Sequence, residues 1–109
     1  MPQQFANFIN GEWVESPEVS PNINPSNLDD VIGEFARADA EQTQRAIRAA
    51  ADAFATWSLS TPQQRFDVLD RTGSALLERK EELGRLLARE EGKTVAEGIG
   101  EVGRAGQIF

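Results

Sequence analysis

The chain has 109 residues, 39% of them hydrophobic and 27% charged, which suits one small folded unit and not a disordered tail. Cys and His are both absent, so disulfides, thiolate or imidazole zinc sites and any Ser–His or Cys–His relay are excluded from its own residues. With 11 bases against 18 acids the net charge is −7, which repels nucleic-acid phosphates and anionic membrane surfaces as partners.

Charge and proline divide the chain. Residues 1–35 hold Glu12, Glu15, Glu18, Asp29, Asp30 and Glu34 without a single Lys or Arg, and four of the five prolines (Pro2, Pro17, Pro21, Pro25) lie there. Two zones are expected: a hairpin, connector and strand over 1–38, then a helical segment over 39–109. In the first zone, Asn10-Gly11 suits the positive φ angles of a two-residue type I′ turn. That turn predicts Ile9 opposite Glu12 and Phe8 opposite Trp13, an aromatic pair expected to pack into a core. Ser16 to Asn27 is rich in Pro, Ser and Asn and reads as an extended connector. Val31 to Ala36 reads as a short strand, with Gly33 placed for a bulge.

Helix starts follow. Asp39 with Gln42, and Thr61-Pro62-Gln63-Gln64, each offer a side chain that accepts from orphan amides. Ile47, Ala50, Ala51, Phe54 and Trp57 recur at helical spacing after the first, and Phe66, Leu69, Leu76 and Leu77 after the second. The apolar period continues through Leu83, Leu86 and Leu87, about 30 residues in all, which is long for a small protein. A break is therefore expected near Arg79–Glu81. Gly92 stops the run and Thr94 opens a last helix, which reaches Gln107-Ile108-Phe109 without a polar cap. The expectation is an α+β, helix-rich fold: an N-terminal β-hairpin and short strand, then about four helices. The apolar ending reads as the front of something longer, with exposed apolar helix faces and hydrophobic self-association. No apolar run has the length of a membrane span and Met1-Pro2-Gln3-Gln4 lacks signal-peptide form, so a cytoplasmic location is expected.

Two motifs resemble phosphate binders. Gly98-Ile99-Gly100-Glu101-Val102-Gly103 matches the dinucleotide pattern in its letters, but that pattern works after a strand and at a helix start. Here a helix start, Thr94 to Glu97, precedes it, so small residues at Gly98, Gly103 and Gly106 packed against a neighbour are the favoured reading. Gly92-Lys93-Thr94 resembles the end of a P-loop, whose first Gly would fall at Leu87 inside an apolar helix. A helix stop followed by a helix start explains it better; Glu90 and Glu91 beside Lys93 offer an acid/base pair, but without a second convergent group a solvated helix end is the favoured reading for Glu91 and Lys93. No catalytic or cofactor-binding residue is assigned within the chain.

In order, these segments resemble the N-terminal portion of the aldehyde dehydrogenase superfamily. Phe8-Ile9-Asn10-Gly11-Glu12-Trp13 is similar to its opening hairpin, and Asn24-Pro25 followed by Val31-Ile32-Gly33 to its "NP…G-E-V-I" segment, with Asn27-Leu28-Asp29-Asp30 in place of Thr-Gly-Glu. Ala46 to Trp57 is similar to the alanine-rich first helix. Arg65 with Leu69, and Glu90, Gly92, Lys93 and Glu97, are similar to the "R…L" and "E-x-G-K…E" positions. The stretch Asn22 to Asp30 resembles the α-ketoglutaric semialdehyde dehydrogenase branch.

The resemblance implies a partial piece of the α/β aldehyde dehydrogenase fold, in a full-length homodimer or homotetramer acting on a small-molecule aldehyde with NAD or NADP. In that family a Cys thiolate attacks the aldehyde, hydride passes to the nicotinamide, and a Glu-activated water releases the carboxylate. None of those groups matches a position here. The resemblance also implies a sodium or potassium ion held by backbone carbonyls of Asn22 and Ile23 and by Glu90, where the family often has Asp. The competing reading is a free-standing acidic helical interaction module without catalysis, which would fold cooperatively alone.

Overall fold

The structure is a computed structural model that describes residues 1–109. A two-residue strand, β1 (Gln4–Phe5), leads into a hairpin of β2 (Asn7–Ile9) and β3 (Glu12–Val14). Asn10 and Gly11 at its tip have φ of 53° and 79°, the pair of positive angles that the type I′ turn needs. The register is the predicted one, Phe8 opposite Trp13 and Ile9 opposite Glu12. The two aromatic rings lie 4.9 Å apart between centroids. Core packing of this pair is not observed: Phe8 is 62% and Trp13 73% exposed. Strand alternation sends Ile9 to the other face, and it is Ile9 that is buried.

The connector holds an unpredicted strand. β4 (Val19–Ile23) runs antiparallel to β5 (Val31–Ala36), and β1 pairs with β5 in parallel, giving the order β1-β5-β4. β4 is thus an edge strand, where a residue such as Pro21 that cannot donate is tolerated. The expected irregularity in β5 is present. Asn22 faces Gly33 while Ile23 faces Val31, so Ile32 is the extra residue, immediately before Gly33. Gly33 also makes room for a ring: a Cβ there would lie 2.6 Å from Phe5 Cε2. Phe5 uses that room to stack on Phe35, with centroids 4.7 Å apart and an interplanar angle of 13°.

α1 (Ala40–Trp57) starts where predicted, with Asp39 Oδ1 accepting from the Gln42 amide at 2.7 Å. Gln42 Nε2 also donates to the Glu15 carbonyl at 2.9 Å, which fixes the helix start to the end of the hairpin. Ala46, Ala49, Ala50 and Ala53 line a shallow groove with the hairpin tip, small side chains that let it approach. No residue of α1 is buried, and Ile47 and Phe54 stand exposed. These strands and α1 form one compact unit, Met1–Ile23 with Asp29–Ser60.

The second unit comprises Asn24–Leu28 and Thr61–Phe109. α2 (Pro62–Glu78) opens on a full capping box: Thr61 Oγ1 accepts from the Gln64 amide and Gln64 Oε1 accepts from the Thr61 amide. The long apolar period does break, at Arg79 (φ −98°, ψ 15°), before α3 (Lys80–Glu91). Arg79 offers α3 no side-chain cap and instead donates through Nε and Nη2 to Glu82 at 3.0 and 2.6 Å. α4 (Val95–Ile108) packs on both α2 and α3. Its Val102 and the Ala88 of α3 are the buried apolar side chains of this unit.

Candidate functional site

Two of the stretches that carry the family resemblance, Asn24-Pro25 and Glu90 to Lys93, lie together in the second unit. Asn24 to Asn27 forms a turn: the Asn27 amide donates to the Asn24 carbonyl at 3.1 Å, and the Ser26 amide to Asn24 Oδ1 at 2.9 Å. Asn supplies the acceptor side chain and Pro25 the preset φ, which is why this sequence turns here. The turn lies against the end of α3. Gly92 stops that helix in the left-handed region (φ 73°), its amide donating to the Ala88 carbonyl at 2.9 Å. A Cβ at Gly92 would lie 2.8 Å from Ser26 Oγ and 2.9 Å from Pro25 Cγ. Ser26 Oγ donates to the Gly92 carbonyl at 3.3 Å. Backbone angle and space therefore both require glycine. The resemblance alone set the connector beside the end of α3, through Asn22, Ile23 and Glu90; the Ser26–Gly92 bond itself was not foreseen, because nothing in a Pro- and Ser-rich run says which distant carbonyl a Ser will meet.

Lys93 corrects an expectation. Its side chain is only 20% exposed, and Nζ pairs with Glu91 at 2.6 Å and with Glu101, so it joins the end of α3 to the second turn of α4. Hydrogen bonding to Glu101 first, then Glu91, holds the ammonium pKa above its ordinary value. At the predicted helix start, Thr94 and Glu97 form a capping box: Glu97 Oε2 accepts from the Thr94 amide at 3.1 Å and from Thr94 Oγ1 at 2.8 Å. Those bonds, the hydroxyl's first, hold the Glu97 carboxyl below its ordinary value, and the Lys93 charge adds to them.

The glycine motif is helix, not phosphate loop. Gly98 is the fourth residue of α4, and its amide donates to the Thr94 carbonyl at 3.1 Å within the helix. A Cβ on Gly98 would lie 2.2 Å from the Gly84 carbonyl oxygen, and one on Gly106 would lie 2.6 Å from Leu77 Cγ. Both are close helix contacts, as expected of small residues. Gly103 has only an ordinary contact, Lys80 Cδ at 3.5 Å, and Gly100 faces open space.

Of the residues expected to hold a cation, Asn22 and Ile23 lie on β4 in the first unit, Asn22 half-buried and opposite Gly33. Glu90 lies half-buried on the last turn of α3 in the second unit. No group of three or more acidic residues is arranged to hold a metal ion.

The pattern of the Aldehyde dehydrogenase family matches residues 13–109. A malonate-semialdehyde dehydrogenase of Bacillus velezensis is 38% identical over 104 residues, covering 94% of this chain and 21% of that protein. An alpha-ketoglutaric semialdehyde dehydrogenase of Bacillus subtilis is 36% identical over 102 residues, covering 92% of this chain and 21% of that protein. The crystal structure of an NADP-dependent glyceraldehyde-3-phosphate dehydrogenase from Bacillus halodurans superposes with a TM-score of 0.90 at 34% identity, over 95% of this chain and 22% of that one. The chain thus spans about a fifth of the length of the curated relatives it matches. With a family match over most of its residues and a close superposition at 34% identity, the chain belongs to the aldehyde dehydrogenase family, as an N-terminal portion of its fold.

Proposed function

We propose that this segment serves an NAD- or NADP-dependent enzyme that oxidises an aldehyde, of the semialdehyde class that carries a carboxylate, to the acid. The observation that carries the reading is the family match over residues 13–109. Relatives named for malonate semialdehyde and alpha-ketoglutaric semialdehyde support the substrate class. The segment has no Cys to act as nucleophile, so its role is to scaffold, and the reacting groups belong to the rest of the enzyme. A homodimer or homotetramer in the cytoplasm is part of the same reading. A self-contained interaction module is disfavoured by burial: Ile9, Ala88 and Val102 alone make up the buried apolar set.

The test is to read the gene onward from this segment, express the product and follow nicotinamide reduction with carboxylated semialdehydes and with plain aldehydes. Faster turnover of the carboxylated set supports the substrate class. Absence of a Cys-bearing catalytic segment, or of any reduction, would overturn the reading. The segment alone is expected neither to turn over aldehyde nor to bind NAD at millimolar concentration; calorimetric titration giving a micromolar Kd would contradict that.

The sodium or potassium ion expected at the oxygens of Asn22, Ile23 and Glu90 is likewise proposed, on the chemistry of hard cations and oxygen ligands. Its signature is a Tm of the longer enzyme that rises with potassium or sodium beyond a bulky organic cation at equal ionic strength. Glu90→Ala should remove that difference, and equal melting curves of the parent in all three salts would end the proposal.

A further inference from the structure

We draw no further inference here: the strongest candidate, the exposed apolar face of α1 carrying Ile47, Phe54 and Trp57, carries nothing because no feature of the structure shows what covers it.

Discussion

Gly98 and Gly100 stand two residues apart on α4 and respond oppositely to the same substitution. At Gly98 an added methyl meets the backbone oxygen of Gly84 at 2.2 Å, and backbone cannot swing aside as a flexible side chain would. Gly98→Ala is expected to destabilise by about 1–3 kcal/mol as overpacking forces α3 and α4 apart. Gly100→Ala meets nothing within 4 Å and should stabilise by about 1 kcal/mol from helix propensity alone. Urea titrations followed by circular dichroism compare the two directly, and equal shifts of the same sign would refute the packing assignment. That Gly98 and Gly106 pack closely was legible, since a glycine-rich helix gains little unless a neighbour uses the space. The Lys93–Glu101 pair was not, because Lys93 lies in the junction outside either helix and its spacing of eight residues crosses the helix start at Thr94.

Helices were more legible than strands for a reason visible in their ends. Asp39, Thr61 and Thr94 each accept a hydrogen bond from an amide three residues on, a contact written entirely in local sequence. Thr61→Ala should cost about 1 kcal/mol, read as a lower urea midpoint and faster amide exchange at Gln64. β1 and β4 lack such signals: one is two residues long, and the other contains Pro21 and draws its register from β5, eight residues beyond its end. The cap of α4 also titrates. Glu97 has a lowered folded pKa, so its contribution is complete above the unfolded value of about 4.3 and disappears as pH falls through the folded one. Lys93 works in the other direction: its raised pKa gives a contribution complete below about 10.4 and lost as pH rises through the folded value. Glu97→Gln keeps an acceptor but no titration, and is expected to flatten the acid limb of helicity against pH. An acid limb identical to the parent's would show that Glu97 carries none of it.

Across the molecule the balance of surfaces is unusual. Phe8, Trp13, Ile47, Phe54, Leu59, Phe66, Ile108 and Phe109 are all more than half exposed. Large apolar side chains in water promote association, although a net charge of −7 opposes it at low salt. The chain by itself is expected to self-associate or to remain loosely packed, with association growing as salt screens the charge. Light scattering and dye binding at two salt concentrations test this. A monodisperse monomer with a sharp two-state melt at both would count against it. No helix is long and apolar enough to cross a membrane.

The hydrogen bond from Ser26 to Gly92 has a consequence in time. It joins residues 66 apart, and the unit it belongs to is built from two separate stretches of chain. During synthesis the Asn24–Asn27 turn emerges early and must wait, while all of Asp29–Ser60 and two further helices are made, before its docking carbonyl exists. Closing so wide a loop carries an entropic cost that grows as about (3/2)RT ln n with loop length n, and no local contact repays it in advance. The turn is therefore expected to dock last in its unit and to detach first on unfolding. Ser26→Ala, which removes the docking bond, should speed unfolding and leave the folding rate unchanged in stopped-flow measurements; slowed folding would place the docking early.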